Sequence, residues 1–500
     1  MVGTFSHEWD TPVFKGKTSF PTGLFINGQF VDGSDKTTID VINPTNGSLI
    51  TKVSEAMPKD VDIAVEAAQK TFDTTWGLNV SGLRRSELLN RLAVLMVKYK
   101  DELSAIEALD NGKTFNWAKN ADVSIGIDVV KYYAGWADKI MGDTIETDER
   151  KLSYTRHEPI GVVAQILPWN FPLMLFCWKI GPALATGNTI VLKSSEFTPL
   201  TAIRMAEIIH EAGFPPGTVN IITGFGHITG EALSRHPNIE KIAFTGSTLV
   251  GRKIMEAAAQ SNLKKVTLEL GGKSPNIIFN DADLEKAVAW TSHGIFWNHG
   301  QACCAGSRIF VQSGIYDEFL KRFTAKAQSI KLGDPFASGI DQGPQVSQIQ
   351  YDRIMDYIDS GRADGATVHT GGTRFGNEGY FINPTIFTDT KPDMKIVKEE
   401  IFGPVGVVIK FEDEADVLRQ ANDTMYGLAA AVFSQDINRA LTTVHKLKAG
   451  TAWVNCVNQV HAQVPFGGYK QSGIGRELGK DGLASYINIK AVHVNLGHTM

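Results

Sequence analysis

The chain has 500 residues, 43% hydrophobic and 21% charged, with a formal net charge of -5. That length exceeds what one hydrophobic core supports, so two or three domains of an ordinary globular protein are expected. The acidic balance excludes a nucleic-acid polyanion as the main partner.

The stretch MVGTFSHEWDTPVFKGK lacks the apolar core of a signal peptide, and Glu8 and Asp10 interrupt the basic pattern of a transit peptide. Four cysteines, Cys177, Cys303, Cys304 and Cys456, are too few for a disulfide framework and fit a reducing compartment; a cytoplasmic location is expected. Residues 168–184 come nearest to a membrane span, but Pro172, Lys179 and Pro182 break it, so no membrane partner is expected.

From residue 159 two patterns alternate. Short β-branched runs at 161–167, 189–192, 219–222 and 241–244 read as buried strands. Between them, a helix is expected to start at Thr198 with Pro199 in its first turn and to stop at Gly213. Strand and helix at this spacing predict an α/β fold with a parallel sheet covered on both faces. Further along, Asp281 or Asp283 caps a helix through Leu284, Val288 and Trp290. Residues 308–312 read as a strand, and 316–330 and 352–358 as helices. The tail from Tyr486 alternates apolar and polar residues without a strand partner beside it in sequence. Such an unpaired strand predicts an oligomer that covers it.

Four motifs stand out: PWNFP (168–172), FTGSTLVG (244–251), LELGGKSP (268–275) and GQACCAGSR (300–308). Each alone has a bland reading: a lone Cys is usually a small buried hydrophobe, and an Asn between Trp and Phe a turn residue. Their joint occurrence in this order resembles the aldehyde dehydrogenase superfamily. The likeness extends to EALDNGK (107–113), YYAGWADK (132–139), EEIFGPV (399–405) and PFGGYKQSG (465–473), and PTGLFINGQF (21–30) is similar to fungal members. The resemblance implies two parallel-sheet α/β domains plus a β arm for oligomerisation. The dinucleotide-binding domain would take 1–139 and 159–270, the catalytic domain 271–470, and the arm 140–158 with 486–500, in a homotetramer.

The implied chemistry suits these residue types. An aldehyde releases hydride only after a nucleophile adds to its carbonyl; a thiolate gives a hemithioacetal and then a thioester. The resemblance makes Cys303 that nucleophile and Cys304 a packing neighbour. It gives the Asn170 amide, with the Cys303 backbone N–H, the role of stabilising the oxyanion. Glu269 would activate water for hydrolysis of the thioester.

No G-x-G-x-x-G fingerprint lies in a strand-to-helix setting; GFGHITG (224–230) misses it by one residue, and its Gly226 is counted as a cofactor-binding candidate. FTGSTLVG fits a different geometry, a strand followed by Gly246, Ser247 and Gly251 opening a helix whose N–H groups face a pyrophosphate. By resemblance Lys193 and Glu196 meet the adenosine ribose, and Glu196 favours NAD while leaving NADP possible. Glu400 and Phe402 would hold the nicotinamide ribose and ring, and Ile166, Pro168 and Trp169 would line the cleft. The substrate tunnel would comprise Phe171, Met174, Leu175, Trp178, Trp297, Val460 and Phe466, with Asn458 near its mouth. It is apolar and aromatic, without a cationic clamp for an acidic aldehyde.

Other classes fit less well. CoA-acylating relatives commonly lack the carboxylate found here as Glu269. A non-catalytic relative should have lost Cys303, Glu269 or Asn170. A zinc alcohol dehydrogenase needs Cys and His at metal spacing, which the scattered histidines do not supply; no metal is expected.

Overall fold

The computed structural model describes residues 2–497, and these build two large sheets, a three-stranded sheet and two two-stranded ribbons. The first sheet centres on the parallel strands Val162–Ile166, Thr189–Lys193, Val219–Ile222, Lys241–Thr245 and Lys265–Glu269. Short antiparallel strands flank them: Leu24–Ile26 and Gln29–Val31 on one edge, Gly473–Ile474 on the other. The three strands Val162–Ile166, Thr189–Lys193 and Lys241–Thr245 are buried throughout, which explains their largely apolar sequences. The second sheet holds Pro275–Ile278, Arg308–Gln312, Thr385–Thr388, Val405–Phe411, Ala429–Phe433 and Thr451–Val454 in parallel, with Thr367–Thr370 antiparallel at its edge.

Helix Pro172–Ala185 lies buried along its whole length. Pro172 opens it, where the missing N–H is harmless. Among the described residues no helix is long and apolar enough to cross a membrane. Asp283 is the residue that caps helix Leu284–Phe296, its carboxylate accepting from the Lys286 N–H. Asp281 instead accepts from Ser434 and pairs with Arg439.

One expectation needs correction. The helix after Thr189–Lys193 begins at Leu200, and Thr198 does not cap it. A distant carboxylate, Asp110, accepts from the Leu200 N–H at 3.0 Å, so a tertiary contact replaces the local cap. Gly213 does end this helix, with φ 88°. The tail strand is covered by a distant segment of the same chain: Ile487–Asn495 runs antiparallel to Lys151–Pro159 through nine residue pairs, and Thr144–Ile145 joins the other side. Its partner lies more than 300 positions away, beyond the reach of a local pattern. Residues 498–500 of the expected arm lie outside the described residues.

Candidate active site

The first sheet delivers its side chains at the carboxyl ends of its strands, where parallel α/β sheets bind ligands. Thr245 stands directly opposite Glu269, and Lys193 opposite Ile166. The loop leaving Val162–Ile166 carries Pro168, Trp169 and Asn170 to the same edge. From the second sheet come the segments that precede its strands: Cys303 before Arg308–Gln312, and Glu400 with Phe402 before Val405–Phe411. Asn298, His299 and Gly300 all take positive φ just before the cysteine loop. A Cβ at Gly300 would run into the Gly403 carbonyl, and one at Gly272 into the Cys303 carbonyl, so backbone itself packs around the thiol.

Two cavities meet at Cys303. One, of about 200 Å3, is lined by Phe171, Met174, Leu175, Trp178, Trp297, Asn458, Val460 and Phe466, together with Trp117, Asn120, Ile125, His293 and Cys304. The other, of about 120 Å3, is lined by Pro168, Trp169, Asn170, Gly246, Ser247, Leu270, Gly271, Gln350, Arg353, Glu400 and Phe402. Thr245, Glu269 and Cys303 line both. All seven tunnel candidates therefore surround one chamber; of the three catalytic candidates, Cys303 and Glu269 stand at its junction with the cleft and Asn170 lines the cleft.

The two adjacent thiols differ in setting. Cys304 is buried and its Sγ donates to Asn458 Oδ1 at 3.4 Å, whereas Cys303 is half-buried between the cavities. A hydrogen bond with Cys304, then burial and the nearby charges of Glu269 and Glu400, push the Cys303 thiol well up. Burial and repulsion from Glu477 raise the Glu269 carboxyl, with Lys179 and Arg476 acting in opposition. Glu477 is itself bonded to the buried Lys179 ammonium. Asn170 Nδ2 donates to the Gln301 carbonyl at 3.0 Å, which leaves its second hydrogen free. Glu269 Oε2, Asn170 Oδ1 and Thr245 Oγ1 are buried without a protein partner, the condition of groups that serve a ligand or water.

The cleft fits a dinucleotide. Ser247 caps helix Thr248–Gln260 by accepting from the Val250 N–H, so Gly246 and Ser247 bring a helix amino terminus to the cleft wall. Glu400 accepts from the Gly272 N–H at 2.9 Å, and burial lifts its carboxyl to about 7. Phe402 holds a φ of 63°, rare for a bulky residue, and meets the Trp169 ring edge-on at 5.2 Å. Other cofactor candidates stand apart from this cleft wall. Gly251 is buried, and a Cβ there would press on Leu270 at 2.7 Å, so it serves helix–strand packing. Lys193 is buried at its strand end and pairs with Glu196 at 3.4 Å. Gly226 opens the turn that follows strand Val219–Ile222, and Ile166 packs in the core beside the sheet.

Residues 30–492 match the model of the aldehyde dehydrogenase family. The chain belongs to the aldehyde dehydrogenase family. It is 72% identical over 500 residues, all of both chains, to an aldehyde dehydrogenase of Agaricus bisporus, and 57% identical to one of Emericella nidulans over 98% of each chain. An aldehyde dehydrogenase of Bacillus cereus, solved as an NAD+ complex, superposes with a TM-score of 0.94 at 48% identity, covering 95% of this chain and 97% of its own. The fold is thus that of known aldehyde dehydrogenases.

Sequence reasoning missed several residues of this aldehyde dehydrogenase site. Thr245 and Glu477 line the chamber, and Gln350 and Arg353 the cleft. Trp117 and His293 add rings to the chamber wall. Lys113, with Glu107 and Asp122, forms a wholly buried charge cluster beneath it. That cluster left one legible signal: Glu107 falls four residues after Leu103 on the buried face of helix Lys100–Asn111, an unusual place for a carboxylate.

Proposed function

We propose that this protein oxidises aldehydes to carboxylic acids with NAD, using Cys303 as nucleophile and hydrolysing the resulting thioester. The observation that carries this reading is the position of Cys303, Glu269 and Thr245 on the wall common to an apolar chamber and a polar cleft. An aldehyde in the chamber and a dinucleotide in the cleft would meet at that thiol.

In this reading the Cys303 thiolate adds to the aldehyde carbon, forming the S–C bond and an oxyanion. Asn170 Nδ2 and the Cys303 backbone N–H stabilise that oxyanion; loss of one such donor slows comparable enzymes by about 100- to 1000-fold. When bound, NAD supplies the acceptor for the hydride whose loss leaves the thioester. Gly246, Ser247, Glu400, Phe402, Pro168 and Trp169 would hold it, supported by the lining of the cleft. Lys193 and Glu196 lie farther along the same strand edge and would meet the adenosine ribose, with Glu196 favouring NAD and tolerating NADP. Glu269 then takes a proton from water as its oxygen attacks the thioester, and the C–S bond breaks to return the thiolate and free the acid.

The separate sheets support a division into a dinucleotide-binding domain (1–139 and 159–270), a catalytic domain (271–470) and an arm (140–158 with 486–500). The outer edge of Ile487–Asn495, with Ile489 exposed, supports assembly into a homotetramer. The sparse cysteines support a cytoplasmic location. Steady-state kinetics over an aldehyde panel, with NAD, NADP and CoA varied, test the reaction. The reading expects NADH formation independent of CoA and lost in Cys303→Ala; full activity in that variant would overturn it.

A further inference from the structure

The chamber at Cys303 has two ends. At one, Thr245, Glu269 and Cys303 are shared with the cleft; at the other, Trp117, His293 and Trp297 are shared with an outer cavity of about 360 Å3. That outer cavity is of mixed character, with Ser292, Ser329, Lys326 and Asp341 beside Ala289, Phe296 and Ile330 on its wall. The aromatic trio therefore partitions the reacting end of the chamber from a wetter space outside.

The partition is built from stacked rings. His293 lies against Trp297 at 5.3 Å with the planes 27° apart, and meets Trp117 and Trp290, each at 5.8 Å. Trp290 and His293 are three residues apart on helix Leu284–Phe296, which puts them on one face. Trp297 packs on Phe171 at 5.0 Å, and across the chamber Trp178 meets Phe466 at 5.4 Å. Walls of this kind favour another ring, through offset and edge contacts. The chamber, about 200 Å3, exceeds the roughly 150 Å3 at which an apolar protein cavity accepts benzene.

His293 is the polar point of this wall. Its ring is half-buried, and among the described residues its nitrogens make no hydrogen bond. Burial pushes its pKa down to about 4, so at neutral pH it offers one donor and one acceptor. His293 lines both cavities, so a group bound in the chamber can take the place of water at its nitrogens.

We propose that the chamber selects aromatic aldehydes carrying a hydroxyl group remote from the carbonyl, with His293 as the hydrogen-bond partner of that hydroxyl. A hydroxyl both donates and accepts, so it matches a neutral imidazole in either tautomer. The ring of such a substrate fills the chamber while its aldehyde carbon faces Cys303. The inference rests on the aldehyde-oxidising reading above.

The test compares para-hydroxybenzaldehyde with para-methylbenzaldehyde, matched in size, in the wild type, His293→Phe and His293→Gln. Taking the ratio of their kcat/KM values in each protein cancels the different intrinsic reactivities of the two aldehydes. The ratio should drop about tenfold in His293→Phe, the loss of one hydrogen bond, and return toward wild type in His293→Gln, which restores a donor and an acceptor. A second measurement needs no variant: phenol should compete with aldehyde more tightly than toluene, although toluene is the more apolar. An unchanged ratio in His293→Phe, or toluene competing more tightly than phenol, overturns the assignment of His293. If acetaldehyde and both aryl aldehydes are all left unoxidised, the aldehyde-oxidising reading itself fails and takes this inference with it.

Discussion

The buried Lys113 ammonium donates a 2.9 Å hydrogen bond to the Asn170 carbonyl, fixing the backbone of a residue that lines the cleft with Cys303. The same Nζ donates to Asp122 at 2.8 Å, stands 3.5 Å from Glu107 and lies 4.5 Å over the Phe171 ring. Glu107 in turn accepts from the Leu173 N–H at 3.1 Å. One cation thus ties the loop of Trp169 and Asn170, a chamber wall and the start of helix Pro172–Ala185. Lys113→Met leaves two buried carboxylates facing each other and is expected to destabilise the protein by about 3–5 kcal/mol. Thermal unfolding measures the loss. At temperatures where the variant stays folded, kcat should fall more than KM rises, because Asn170 is loosened while the apolar walls remain.

Glu269 is expected to govern the rate on the acid side of neutrality. Burial and the Glu477 charge raise its pKa, so the basic form gains population as pH rises and turnover should rise with it. Glu269→Gln should slow thioester hydrolysis by about 100-fold or more while leaving the first turnover visible as a burst of NADH. A variant with no burst and no deacylation defect would contradict this role.

Cys304→Ala is expected to shift the pH profile without abolishing activity. The hydrogen bond with Cys304 is the largest influence holding the Cys303 thiol up, and its removal should bring the thiolate pKa down. The rate of alkylation by iodoacetamide, followed against pH, should reach half its maximum at lower pH in the variant than in the wild type.

Asp110 makes stability pH-dependent. Its carboxyl is raised from 3.8 to about 8, chiefly by burial. Between those values the folded state holds a proton that the unfolded chain has released. Stability therefore falls as pH climbs through that window, and the contribution is fully present only below it. Asp110→Asn keeps an acceptor for the Leu200 N–H and should flatten this dependence, with a higher Tm than wild type at pH values above about 8. Asp110→Ala removes the acceptor as well as the ionisable group, so it should flatten the dependence too, while lowering Tm at the acid end of the window by the equivalent of about 1 kcal/mol.

Truncation before Ile487 removes the strand that pairs with Lys151–Pro159 and bares that strand's edge. Size-exclusion chromatography with light scattering should report smaller assemblies or aggregates, since an open edge recruits other chains. A truncated protein with unchanged assembly would show that the tail strand plays no part in association.

Much of this protein was written in local pattern. Buried strands such as Val162–Ile166 and Thr189–Lys193 betray themselves because both faces are covered and most positions are apolar. Gly213 and Asp283 mark helix ends because backbone geometry and capping act within a few residues. The site motifs were legible only together: the stretches around Cys303, Glu269 and Asn170 each have a bland reading alone, and their order along the chain carries the family resemblance. Tertiary structure decided what depends on distant partners. Only the fold brings Asp110 to cap a helix 90 positions away, joins the tail to Lys151–Pro159, and sets Lys113 under Asn170. It likewise separates Cys303 from Cys304, one thiol opening on two cavities and the other turned to Asn458, because burial and hydrogen bonding are properties of a packed neighbourhood that no single segment carries.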